Sequence, residues 1–125
     1  GAKGHPASGF LKGVPTAWDD IKVISGRPDE YVVLARRKGP KWYVAGINAG
    51  NARRVKIPMD FLSNGQYKAT IYRDGKPGAT PTETEVIVRT VNVGKTTTHE
   101  LQMQTDGGFG IVIEPVATSS QRQAP

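Results

Sequence analysis

Apolar residues along this chain fall into short runs of strand length, cut by Gly, Pro, Asn and Asp roughly every eight to twelve residues, the spacing of a β-sandwich or barrel. The runs predict strands at 20–25, 30–37, 41–48, 53–58, 66–73, 84–92, 97–103 and 108–114. No stretch carries the period of a helix of useful length. The fold expected is all-β: an antiparallel, Greek-key-like sandwich of two sheets and about eight strands.

Two of the runs, Tyr31–Ala35 and Trp42–Ile47, are nearly continuous in apolar and β-branched residues. That is the pattern of strands covered on both faces, and it predicts that these two form the centre of a sheet. Between them RKGPK, with Gly39 and Pro40, is short enough for a hairpin. Later runs alternate: Val55 and Ile57 against Arg54 and Lys56, Tyr67, Ala69 and Ile71 against Lys68 and Thr70, Leu101 and Met103 against Glu100 and Gln102. A two-residue period with one polar face belongs to half-exposed antiparallel strands. Asn64-Gly65 and Asp74-Gly75 are turn dipeptides. The two prolines in KPGATPT, Lys76–Thr82, predict a longer connection there, a crossover between sheets.

At 125 residues the chain fits one domain, too short for a catalytic (β/α)8 barrel of roughly 250 residues. Its organisation reads as a flexible leader at 1–13, a sandwich domain at 14–115 and a disordered tail at 116–125, and Gly1 in place of Met predicts a cut boundary. With 37% hydrophobic residues the middle is too apolar to be disordered. No run approaches the roughly 18 apolar residues of a membrane span, so no membrane partner is expected. The absence of cysteine removes disulfides, thiolate metal sites and a cysteine nucleophile. A net charge of +6 raises nucleic acid as a partner. The charges are dispersed, however, with no basic tract interleaved with aromatics for base stacking, and a solvated basic surface fits better.

The residue pairs that could carry chemistry are few. Asp19 and Asp20 are adjacent, and adjacent side chains on extended backbone point to opposite faces, so they do not meet on one substrate atom. A turn-fixing role outweighs catalysis or calcium binding, with Thr16 assisting, and Trp18 beside them reads as an anchor onto the sandwich or a neighbouring domain. His5 and His99 have no companions in sequence for a metal site or a triad, and no serine has nucleophile-elbow context. Glu83 and Glu85 read as an exposed stripe, and Asp106-Gly107-Gly108 as the turn into the last strand. Trp42 and Tyr43, being consecutive, face opposite sides, one of them entering the core. Trp42 and Tyr72 are the candidate sugar contacts, and a carbohydrate-binding module using exposed aromatics is the alternative reading. No catalytic, cofactor-binding or metal-ligating residue is assigned.

Several stretches, VPTAWDD (Val14–Asp20), ARRKG (Ala35–Gly39), WYVAGIN (Trp42–Asn48), DFL (Asp60–Leu62) and YRDG (Tyr72–Gly75), together resemble the C-terminal domain of glycoside hydrolase family 97 over Phe10–Pro115. One departure is Ile21, where the family commonly has a small polar residue. The resemblance implies a C-terminal antiparallel β-sandwich in an α-glucosidase or α-galactosidase whose catalytic carboxylates and calcium ligands lie in other domains. It further implies a non-catalytic supporting role. The partners would be the catalytic barrel of the same chain, through Trp18, Asp19 and Asp20, and another subunit. A periplasmic or secreted location is also implied.

Overall fold

The computed structural model describes residues 15, 17–77 and 84–116, with side chains described for all of these except 74–77 and 84–86. The leader at 1–13, Thr16, most of the tail and most of the Lys76–Thr82 connection lie outside the described residues. So do His5 and Glu83, and the side chain of Glu85 is among those left undescribed.

Among the described residues eight strands follow one another: β1 (Asp20–Arg27), β2 (Tyr31–Lys38), β3 (Lys41–Asn48), β4 (Arg53–Pro58), β5 (Tyr67–Pro77), β6 (Thr84–Val93), β7 (Thr98–Met103) and β8 (Gly108–Pro115). They form a six-stranded sheet in the order β1-β2-β3-β8-β5-β6 and a two-stranded sheet of β4 and β7. Every pairing is antiparallel. The two sheets face each other as a β-sandwich. Strand β8 returns to lie beside β5, the first of the four strands β5 to β8, which is the connection that defines a Greek key, here with β7 displaced into the second sheet.

The alternation read from the sequence places the core. Val55, Ile57, Leu101 and Met103 of the smaller sheet pack with Val33, Val44, Ile71 and Ile111 of the larger. Each such side chain, removed from water, contributes about 1.5–3 kcal/mol. Met59 and Leu62, from the segment leading out of β4, join the same cluster. Strand β4 meets β1 and β7 meets β3, so the small sheet lies over one part of the large one.

The turns follow from local chemistry. The β2–β3 hairpin pairs Lys38 with Lys41 across Gly39 and Pro40. Gly39 has φ of 57°, and proline, locked at negative φ, can hold only the second central position of a type II′ turn, so the Gly-Pro order selects that turn. Between β1 and β2 the Glu30 N–H donates to the Arg27 carbonyl at 3.0 Å. Pro28 and Asp29, the latter at φ 62°, supply the angles of a type II turn.

Two expectations are corrected. The centre of the large sheet is β3 with β8, and β2 lies one strand further out. The continuous apolar run of β2 has another cause: Val33 and Ala35 are buried in the core, while Val32 and Leu34 are only half-buried on the opposite face. The connection after Asp74-Gly75 is not a crossover. β5 continues to Pro77 and pairs with β6 in the same sheet, Asp74 opposite Val86 and Pro77 opposite Thr84, with an irregularity between them.

Candidate functional site

Because side chains of paired residues share a face, the registers define rows across the outer face of the large sheet, the one turned away from β4 and β7. One row runs Val23, Leu34, Ala45, Gly110, Tyr72, Val88. Beside it on one side lie Gly26, Val32, Ile47 and Gly108. On the other side lie Ile21, Arg36, Tyr43, Val112, Thr70 and Thr90. Beyond that row Glu114 sits between Lys41 at 3.6 Å and Lys68 at 3.9 Å, forming a charged margin. The outer face is thus apolar in its middle and charged at one rim.

Its apolar residues are strongly exposed: Ile21 57%, Val23 70%, Ile47 65% and Val88 57%. Large hydrophobic side chains scattered singly on a surface are ordinary, but four on one sheet face form a patch of the kind that marks an interaction surface. The bulge in β1 between Val23 and Ser25 sharpens it. The extra residue, Ile24, packs on the core, and the next outward position is Gly26, which has no side chain. A groove of about 460 Å³ opens there, lined by Val23, Gly26, Pro28, Tyr31, Val32 and Ile47.

Trp18 lies on this same face. Its ring meets Tyr43 edge to face at 5.3 Å and 67°, and the Arg36 guanidinium stands 5.5 Å from its centroid. Tyr43 is buried beneath it at 8% exposure, which is how the second of two consecutive aromatics on opposite faces finds cover. Asp19 does not close a local turn. It accepts a hydrogen bond from the Gly39 N–H at 2.7 Å, and its own N–H donates to the Arg37 carbonyl at 2.7 Å. Arg37 and Lys38 each stand 3.9 Å away. The Gly39 hydrogen bond, then Lys38 and Arg37, hold the Asp19 carboxyl below its ordinary value. Asp20 accepts from the Ile21 N–H at 2.9 Å and lies 3.8 Å from Lys22. The two acids bind different partners and form no joint site.

The candidate sugar contacts separate. Trp42 is 5% exposed in the core, with its ring centroid 4.8 Å from that of Phe61. That is a correction: a ring enclosed by protein offers no face to a sugar. Tyr72 is half-buried in the apolar row beside Val88.

A feature missed in the sequence is Asn48, the one buried polar side chain among the described residues, 2% exposed. Its amide donates to the carbonyls of Asn51 and Gln104 at 2.8 and 3.0 Å, and its carbonyl accepts from Arg53 Nε at 2.9 Å. Arg53 also lies 4.6 Å from the Tyr31 ring centroid and 3.4 Å from Glu30. The node ties the β3–β4 and β7–β8 connections together. Nothing in a lone Asn predicts it; the partners are distant in sequence.

On the inner side a second cleft, about 260 Å³, opens between β7 and the β5–β6 hairpin. Arg73, Arg89 and His99 line it together with the Arg54–Glu100 ion pair, 2.8 Å between Nε and Oε1. Burial, then Arg89 and Arg73, hold the His99 imidazole below its ordinary value. Among the described residues no three His, Asp or Glu side chains gather to hold a metal ion.

Residues 17–114 match the sequence model of the family described as Glycosyl-hydrolase 97 C-terminal, oligomerisation, and this chain belongs to that family. It is 34% identical over 121 residues to a probable retaining α-galactosidase of Streptomyces bingchenggensis, covering 94% of this chain and 18% of that protein. Against a retaining α-galactosidase of Bacteroides thetaiotaomicron it is 42% identical over 69 residues, 55% of this chain and 10% of that one. Among solved structures it is similar to a glycoside hydrolase family 97 enzyme from Pseudoalteromonas sp. strain K8 in complex with acarbose. That match has a TM-score of 0.80 and 29% identity over 90% of this chain and 19% of that chain. The chain spans under a fifth of each of these proteins. What it matches is the C-terminal domain that the family description names.

Proposed function

We propose that this domain assembles copies of its parent enzyme by pairing the outer face of the large sheet with the same face of a second copy, the parent being a retaining hydrolase of α-galactosides. The carrying observation is the apolar outer face, with Ile21, Val23, Ile47 and Val88 bare to solvent. A self-complementary face with an apolar centre and a charged margin suits a two-fold contact between identical sheets, which needs about 800 Å² from each partner. Trp18, Asp19 and Asp20 fix the chain against the β2–β3 hairpin, and the barrel that binds calcium and substrate in this reading is attached just before them. The names of the relatives support α-galactosides as the substrate class. The apolar face supports assembly over sugar binding.

Sedimentation velocity of the 125-residue chain tests the assembly. The expected result is a dimer that dissociates on dilution and that is lost in the Val23→Asp, Ile47→Asp double variant with an unchanged far-UV circular dichroism spectrum. A chain that remains monomeric up to roughly 1 mM, the concentration at which even a weak −4 kcal/mol contact shows, refutes it.

A further inference from the structure

We propose that the cleft at the free edge of β7 is an oxyanion-binding site, taking a carboxylate or a phosphate group between Arg73 and Arg89. This goes beyond the assembly reading and does not depend on it, since the cleft lies on the other side of the large sheet.

The geometry comes from the unequal size of the two sheets. Among the described residues β7 pairs with β4 alone, and β4 and β7 meet the large sheet at β1 and β3. The inner surface of β5 and β6 around Arg73 and Arg89 therefore lies beside the second edge of β7, and the cleft forms there. Arg73 stands opposite Ile87 and Arg89 opposite Ile71, so the two arginines sit diagonally on neighbouring strands of the inner face. Arg73 is half-buried and Arg89 exposed, and an anion held between two neighbouring cations offsets their mutual repulsion.

Among the residues whose side chains are described, no carboxylate lies in ion-pair range of Arg73 or Arg89. Glu100, the carboxylate lining the cleft, is already taken by Arg54 at 2.8 Å, and that bond is the leading reason its carboxyl is held below its ordinary value. His99 projects from β7 into the same space, feeling Arg73 from β5 and Arg89 from β6, with Glu100 next to it and Arg54 and Lys56 on the adjoining strand. A concave site with two planar guanidiniums and an imidazole presents donors suited to an oxyanion, which Arg binds through two parallel hydrogen bonds. At about 260 Å³ the space admits a single small anionic group.

The test is a titration of the ¹⁵N-labelled 125-residue chain, followed by amide and imidazole NMR signals, with two probes in separate arms. One is inorganic phosphate. The other is the capped peptide acetyl-Gly-Glu-Glu-Gly-amide. Sodium chloride at equal ionic strength is the reference. The expected result is saturable movement of the signals from 99–104 with at least one probe, weakened about tenfold or more in R73Q/R89Q, the loss expected for two charge-assisted contacts. Binding should also raise the His99 titration midpoint back toward the ordinary value, because the anion cancels the field of the two arginines. Phosphate acting alone identifies a free anion as the ligand, and the peptide acting alone a carboxylate carried on a polypeptide. Should the double variant lose its β8 amide pattern, the single variant R89Q, at an exposed position, gives the same comparison. Signals that move no further than in chloride, or affinity unchanged in the variants, overturn the proposal.

Discussion

Gly46 shows how one residue can set the spacing of a sheet. It lies opposite Phe109 across β3 and β8, and a Cβ built on it would overlap the Phe109 ring, which fills the space that the missing side chain leaves. Because the ring is buried at 5% exposure, it has little room to yield. Gly46→Ala is therefore expected to destabilise the domain by roughly 1–3 kcal/mol, the range for overpacking a tight core, measured as a lower midpoint in chemical denaturation with unchanged slope. The sequence offered Gly46 only as a glycine inside an apolar run. Asn48 was equally silent: its partners Asn51, Arg53 and Gln104 lie 3, 5 and 56 positions away, and a polar side chain at the end of a strand looks the same whether solvated or enclosed. Trp42 and Tyr43 were legible because their opposed orientation follows from the pleat alone.

Whole strands were the most readable objects, since alternation and turn residues are local signals. All eight runs are strands, with ends shifted by a few residues. Pairings between distant strands carry no local signal, which is why neither the place of β8 at the sheet centre nor the pairing of β5 with β6 shows in the sequence. The β2–β3 hairpin illustrates both sides. Its Gly-Pro turn was evident, whereas its cap, Asp19, comes from 20 positions upstream. Asp19 accepts the Gly39 amide just before β1 begins, so it fastens β1 to the hairpin tip. Asp19→Ala should accelerate hydrogen exchange at the Gly39 amide while leaving the amides of β8 protected. The native protein should show the same loss on acidification. The folded pKa of Asp19 is depressed, so the stabilisation is complete above its unfolded value near 3.8 and disappears as pH falls through the lower folded value. Equal exchange in both proteins would mean that the turn holds itself.

At the scale of the molecule the large sheet has two faces with opposite fates, and this separates stability from assembly. Its inner face is sealed along β8: Ile111 and Ile113 are 0% exposed, and they share one cluster with side chains of both sheets. Its outer face ends in solvent at Ile47, 65% exposed, on the neighbouring strand β3. Truncating a sealed side chain leaves a void that surrounding strands cannot fill, whereas changing an exposed one alters only its hydration in the monomer. Ile111→Ala is accordingly expected to cost about 2–5 kcal/mol and to lower Tm by on the order of 10 °C. Because one core serves both sheets, the loss should appear as a single cooperative transition by circular dichroism and by tryptophan fluorescence, Trp42 reporting the core. Ile47→Asp should leave the unfolding of the dilute monomer nearly unchanged and remove the dependence of Tm on protein concentration that a dimer imposes. The contrast is decisive in one direction: an Ile47→Asp chain that unfolds as readily as Ile111→Ala at every concentration would place Ile47 in the core's energetics and take the outer face out of consideration as a surface for assembly.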